Sequence, residues 1–193
     1  MELEFKDEAI FEIAKKASDL GAEVFLISGP SNQKISTRSI NLIKVVSSKD
    51  MHKEVIKYYS EADIVIMAAA VSDFKPKDFS NKKIKKDNIQ PKMELEKTKD
   101  VLLELGRLKK NQFLFGFALE NENEIENSLK KLKNKNLDLI ILNSLNDKGA
   151  GFGTNTNKVT LIKRDLSTTN FPLKSKAEVS KDILNEILKL IDA

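Results

Sequence analysis

The chain has 193 residues, of which 33 are basic and 29 acidic, for a formal net charge of +4. That length suits one domain with a real core, and a charge this small does not by itself point to nucleic acid. With no cysteine and a single histidine, His52, the chain excludes disulfides, thiolate metal sites, a thiol nucleophile and multi-histidine metal centres, and it disfavours a Ser-His-Asp triad.

No apolar run approaches the roughly 20 residues of a membrane span. The opening MELEFKDEAIFE is acidic and amphipathic, unlike a signal peptide, so a cytoplasmic location is the default expectation. From Ala9 to Leu20, Ile10, Ile13, Ala14 and Ala17 recur at helical spacing, with Gly21 as a stop. AEVFLISGP then reads as a short apolar strand. Asn41 to Ser47 reads as a second strand, Lys49 to Ser60 as a helix and Asp63 to Ala68 as a third strand. Val101 to Lys109 is helical in pattern, and Gln112 to Phe117 is a fourth strand. Glu122 to Lys133 is a charged helix with Ile125, Leu129 and Leu132 inside. Leu137 to Leu142 and Lys158 to Lys163 are two more strands, and Lys176 to Ile191 closes the chain as a helix. Strands alternating with helices, several of them continuous apolar runs, predict one α/β domain over residues 1–193, three-layered with a mostly parallel sheet. The chain opens on a helix where such a sheet usually opens on a strand, and no Gly-rich phosphate loop precedes that helix.

In such a sheet, ligands sit beyond the carboxyl ends of strands. The run Ile64-Val65-Ile66-Met67 delivers Ala68, Ala69 and Ala70 to that edge, small enough for a base or ribose to approach the backbone. Asp73 could hold a ribose hydroxyl or a metal-bound water, and Lys83 with its neighbours Lys82, Lys85 and Lys86 could neutralise phosphates as mobile point charges. Taken alone, the same letters are more ordinarily read as alanine packing and a solvated lysine loop. Phe117, after QFLFG, suits either a base slot or the core. Lys131 and Lys135, four apart on a helix, could bracket a phosphate or form a solvated face. The glycine-rich GAGFGTNT, Gly149 to Thr156, does not fit GxxxxGK[ST] and has no helix after it, so it reads as a loop over the site or a plain connection.

The stretches LGAEVFLISGP, ADIVIMAAAVSDFKP, KKIKK, LEKTKDVLLELG, FLFGFALE, KNLDLIILN, GFGTNTNKVTLI and SKAEVSKDIL, in this order, resemble the phosphopantothenate–cysteine ligase family. That family is the synthetase half of the bifunctional coenzyme A biosynthesis flavoprotein of bacteria. The resemblance covers nearly everything from about Ala9 onward. It implies a Rossmann-like fold, a homodimer, and coupling of 4′-phosphopantothenate to L-cysteine with CTP through an acyl-cytidylate. Pyrophosphate and CMP are released, and Mg²⁺ is required. Eukaryotic relatives typically prefer ATP. The flavin-binding half has no counterpart, so no FMN is expected. Carried over by position, the resemblance implies nucleotide contacts at Met67, Ala68, Ala69, Asp73, Lys83, Lys99, Asp100, Val101, Leu102, Phe117, Lys131 and Lys135, with Lys83 as the catalytic charge. It names no metal ligand. Lys99 stands where the family commonly has proline. Family members also open with a strand ending in Gly-Pro-Thr, followed by an Arg-x-x-x-Asn segment and Ser-Ser-Gly-Lys-Met-Gly. Here MELEFKDE stands where Ser-Ser-Gly-Lys-Met-Gly should be and the first strand is absent, which leaves three readings: a truncated ligase whose missing strand is lost or encoded on a separate chain, a remnant that still binds a nucleotide or partner, or a ligase that obtains the missing groups elsewhere; exposed strand edges and oligomerisation are expected.

Overall fold

The computed structural model describes residues 8–33, 35, 39–78, 92–144, 146–147, 149–150 and 154–192. Five helices and eleven strands occur in chain order: α1 (Glu8–Asp19), β1 (Val24–Ser28), β2 (Ile40–Lys44), α2 (Ser48–Tyr59), β3 (Ile64–Met67), β4 (Phe74–Pro76), β5 (Leu95–Lys97), α3 (Val101–Leu108), β6 (Phe113–Glu120), α4 (Glu124–Asn134), β7 (Leu139–Ser144), β8 (Thr156–Asn157), β9 (Val159–Lys163), β10 (Thr168–Asn170), β11 (Lys174–Ser175) and α5 (Lys176–Ile191). Two helices begin with reciprocal caps. Ser47 and Asp50 close the first turn of α2, and Ser175 and Glu178 close that of α5.

The main sheet runs β10-β9-β7-β6-β3. Its centre, β3-β6-β7, is parallel, and β9 and β10 join antiparallel at one side. Both faces are covered, which gives the expected three layers. On one face Leu114, Ala118, Ile140 and Leu142 meet Met51, Val55 and Tyr59 of α2, Val101 and Leu105 of α3 and Leu132 of α4. On the other, Phe115, Leu139, Ile141, Val159 and Leu161 meet Ile13 of α1 and Val179, Ile183 and Ile187 of α5. The period-two alternation of β6 and β7 thus splits one apolar run between two cores. Each fully buried side chain of this size stabilises by about 1.5–3 kcal/mol.

The parallel pair β1–β2 forms a sheet of its own, not hydrogen-bonded to β3. It is attached through side chains. Leu26 and Ile40 pack on Phe11 and Ala14 of α1, while α2 is held to α3 by a hydrogen bond from the Tyr59 hydroxyl to the Leu105 carbonyl (2.8 Å) and by His52 against Glu104 (2.9 Å).

Several boundaries differ from the sequence reading. The fourth expected strand continues past Phe117 to Glu120 because β7 pairs with it all the way to Ser144. The second expected strand stops at Lys44, since the Ser47 cap turns the chain into α2. Five short strands, β4, β5, β8, β10 and β11, are only two or three residues long, too short for a period to show, and have no counterpart among the expected elements.

Candidate functional site

The carboxyl edge of the sheet has a step. β3 ends at Met67, in register with Gly116, while β6 runs on through Phe117–Glu120. Ala68, half-buried, and Ala69, exposed, leave the sheet there. The chain then enters the β4–β5 hairpin. The Thr98 N–H donates to the Asp73 carbonyl (2.8 Å), so the far end of that hairpin returns Lys99 and Asp100 to the neighbourhood of Asp73.

Asp100 ties the start of α3 to the end of α4. Its carboxylate accepts from the Leu103 N–H (3.0 Å), capping α3, and its second oxygen meets Lys135 Nζ at 2.7 Å. Burial acts to raise the Asp100 carboxyl. The hydrogen bonds from Lys135 and the Leu103 N–H, with the charges of Lys135 and Lys131, outweigh it and hold the group below the ordinary carboxylate value. Val101 is buried in the core. Leu102 lies over Gly116, where an added Cβ would come within 2.8 Å of Leu102 Cδ2. Gly106, one turn on, faces the end of α4 so closely that a Cβ would lie 2.0 Å from the Lys135 carbonyl oxygen. The Asn136 side chain completes that contact by donating to the Gly106 carbonyl (3.0 Å). Two glycines therefore let α3 sit tightly between the strand end and the base of Lys135.

Lys131, one turn earlier on α4, meets Glu120 at 2.5 Å, and Asn127 donates to the other Glu120 oxygen (3.3 Å). Glu120 is largely buried, at 11% side-chain exposure. Both expected phosphate-binding lysines thus rest on carboxylates at the sheet edge. Sequence patterning does not single out Glu120 or Gly106, although Glu120 closes the FLFGFALE stretch.

Met67, Asp73, Lys99, Asp100, Val101, Leu102 and Lys135 are brought together around the step, and Lys131 lies beside them. Phe117 is separated from the two lysines by the sheet. It packs with Phe113, Phe115 and the α5 core on the opposite face, because odd positions of β6 point that way. Its ring is a core element there, and only its backbone borders the step. Lys83, with the rest of KKIKK, lies outside the described residues, as do residues 151–153 of the glycine-rich loop. Among the described residues no group of three His, Cys, Asp or Glu side chains could hold a metal. Mg²⁺ at phosphate-transfer sites rests on one or two carboxylates plus the phosphates themselves. Asp73, exposed at the step, fits that more modest demand.

A family model for the DNA/pantothenate metabolism flavoprotein C-terminal domain matches residues 10–191. A protein from an unknown prokaryotic organism named cysteine/cysteine sulfinic acid decarboxylase is 47% identical over 180 residues, covering 93% of this chain and 50% of that protein. The coenzyme A biosynthesis bifunctional protein CoaBC of Bacillus subtilis (strain 168) is 43% identical over 180 residues, covering 93% of this chain and 44% of the relative. This chain spans about half the length of these relatives. The crystal structure of the C-terminal domain of a CoaBC protein superposes with a TM-score of 0.79 at 38% identity, over 96% of this chain and 84% of that one.

Proposed function

This chain belongs to the DNA/pantothenate metabolism flavoprotein C-terminal domain family, the phosphopantothenate–cysteine ligase part of coenzyme A biosynthesis proteins, and from that premise we propose that it joins 4′-phosphopantothenate to L-cysteine with CTP. The observation that carries the proposal is the convergence of Asp73, Asp100, Lys131 and Lys135 on the stepped sheet edge. A polyphosphate needs cationic partners beside an open strand end, and Lys131 and Lys135, each resting on a carboxylate it can exchange, are placed to provide them.

The chemistry proposed begins with attack of the pantothenate carboxylate on the α-phosphorus of CTP. The bond to the β,γ-phosphates breaks, pyrophosphate leaves and an acyl-cytidylate forms. The cysteine amine then attacks the acyl carbon and CMP departs. Two anions must meet in the first step, so charge neutralisation dominates its barrier. Lys131 and Lys135 exchange their carboxylate partners for phosphate oxygens, while Lys83 answers the charge that develops on the leaving group. Mg²⁺, held through Asp73, would supply further neutralisation of the phosphates. Removing one such lysine should cost about 100-fold or more in rate.

We further propose a cytoplasmic homodimer. Among the described residues no helix is long and apolar enough to cross a membrane. The β4–β5 hairpin aligns Phe74, Pro76 and Leu95 on one face, with Phe74 52% and Leu95 57% exposed, which suits burial against a second copy. A second reading, a nucleotide-binding module completed by a partner chain, is favoured by one observation. Among the described residues β1 and β3 each pair on one side only, and Phe25 of β1 and Ile64 of β3 are 42% and 40% exposed.

The test is pyrophosphate release with CTP, Mg²⁺, 4′-phosphopantothenate and cysteine, beside Lys83→Ala and Lys135→Ala. Release that needs every substrate and collapses in both variants supports the ligase. CTP binding weakened by Lys135→Ala without any release supports the module that needs a partner.

A further inference from the structure

Glu120 closes β6, and its carboxylate is far more enclosed than that of Asp100: their side chains are 11% and 43% exposed. Two donors of α4, four residues apart, hold it. Lys131 Nζ meets Oε1 at 2.5 Å, and the Asn127 amide donates to Oε2 (3.3 Å). The same amide donates to the Glu122 carbonyl (2.9 Å), which fixes the turn after β6 and pins the carboxylate in place. The charged groups around it are engaged elsewhere. On β7, Ser144 lies in register with Glu120 and gives its hydroxyl to Glu124 of α4. Lys135 meets Asp100 at the start of α3 (2.7 Å), and Lys158 meets Asp147 (2.8 Å). Among the described residues Lys131 is therefore the one cation that neutralises Glu120.

An ammonium carries three donors. Lys131 spends one on Glu120, and with 43% of its side chain exposed the others are open to a ligand. A phosphate oxygen that meets this ammonium comes within about 3–5 Å of Glu120 Oε1, because both contacts share one nitrogen. Two anions that close in a poorly hydrated corner repel strongly. The phosphate has a second lysine to hold it, and Asn127 keeps Glu120 from swinging into water. A proton resolves the conflict. We propose that Glu120 is a nucleotide-contacting residue that works as a neutral acid: as Lys131 turns to the phosphate, the Glu120 carboxylate takes one proton from solvent and donates it in an O–H···O hydrogen bond to a phosphate oxygen. No bond to phosphorus or carbon changes in this step, and the proton returns to solvent when the nucleotide departs. Asp100 takes none, because water screens its exposed carboxylate once Lys135 turns away. The inference rests on the nucleotide reading above and adds a proton linkage to it. The complex holds one proton more than the free chain, so affinity falls as pH rises.

The test is calorimetric titration of the unaltered chain with CTP in Mg²⁺, repeated in PIPES, HEPES and Tris, whose different ionisation heats report the protons taken up. Uptake should approach one proton per CTP bound near neutral pH, and affinity should fall by up to about 10-fold per pH unit as the pH is raised through neutrality. Glu120→Gln offers the phosphate an amide N–H in place of the acid O–H and needs no proton from solvent. In that variant the uptake should drop to what the phosphates of CTP themselves contribute, and the affinity should lose most of its pH slope. Infrared difference spectra of the unaltered chain with and without CTP give a reading that does not depend on the variant folding: a protonated carboxyl band should appear on binding and shift in D₂O. Equal uptake in the unaltered and Glu120→Gln chains, or CTP binding without a new carboxyl band, overturns the neutral acid and leaves the nucleotide site standing. Failure of the unaltered chain to bind CTP removes the nucleotide reading and the proton linkage together.

Discussion

Gly106→Ala separates local propensity from tertiary packing. Gly106 lies inside α3, where alanine is favoured over glycine by about 1 kcal/mol, so propensity alone predicts a more stable protein. The new methyl, however, would start 2.0 Å from the Lys135 carbonyl oxygen and 2.7 Å from its carbon, both backbone atoms. Real Cβ atoms essentially never approach closer than 3.0 Å. The end of α4 must therefore retreat by about 1 Å, and the Asn136 hydrogen bond to the Gly106 carbonyl goes with it. Overpacking of this kind costs roughly 1–3 kcal/mol, and a lost hydrogen bond about 1 more. After the propensity gain, the net destabilisation is about 1–3 kcal/mol, or roughly 3–10 °C in Tm for a chain of this size. The same displacement draws Lys135 away from Asp100, so CTP affinity should fall in the folded variant at low temperature. Thermal melting and calorimetry check both. A Tm equal to or above that of the unaltered chain would refute the reasoning, because the packing of α3 against α4 would then be loose.

Three further outcomes are expected. Ser128 of α4 is fully buried and its hydroxyl lacks a partner among the described residues, so Ser128→Ala should raise stability by about 1 kcal/mol in urea unfolding; a loss would show that the hydroxyl is bonded. The Glu186 carboxyl is held below its ordinary value of 4.5 by a hydrogen bond from Lys189 and, against the cost of burial, by Lys163. A carboxylate depressed in the folded state contributes stability above the unfolded value, and that contribution is lost as pH falls below about 4.5 through the folded value. Glu186→Gln should accordingly flatten part of the acid limb of a stability–pH curve, and an unchanged limb would count against the pairing. Amides of β1 and β2 should exchange faster than those of β6 and β7, since two strands tied by side chains open more readily than a doubly covered sheet centre. Uniform protection across both sheets would contradict the split.

The elements that sequence patterning locates are those whose apolar period is long. Lys176 to Ile191 is legible to the residue, because its stripe of Val179, Ile183 and Ile187 recurs every four residues behind a capping box. The β4–β5 hairpin is not, because its strands are three residues long, too short for a period to show, and the ion pairs Lys75–Glu96 and Lys77–Glu94 that flank it are not visible as a pattern. At the candidate site, residue types reveal the lysines and the strand end. They cannot reveal that Lys131 and Lys135 have carboxylate partners 11 and 35 positions earlier in the chain, since those pairs exist only once the sheet edge has formed. Phe117 shows the converse: an aromatic at a strand end fits a base slot as a letter, but the alternation of β6 turns its ring into the far core.

The two lysine–carboxylate pairs also bear on how binding would respond to salt. A basic groove normally holds a cloud of mobile anions, and a polyanion gains entropy by evicting them, so its affinity falls steeply as ionic strength rises. Lys131 and Lys135 instead keep tethered anions, Glu120 and Asp100. An arriving triphosphate trades places with carboxylates that cannot diffuse away and that remain nearby to compete for the same ammonium groups. Under the proposed nucleotide reading, binding would become an intramolecular exchange, with a shallow dependence on ionic strength and a ready return path for the lysines when the phosphates depart.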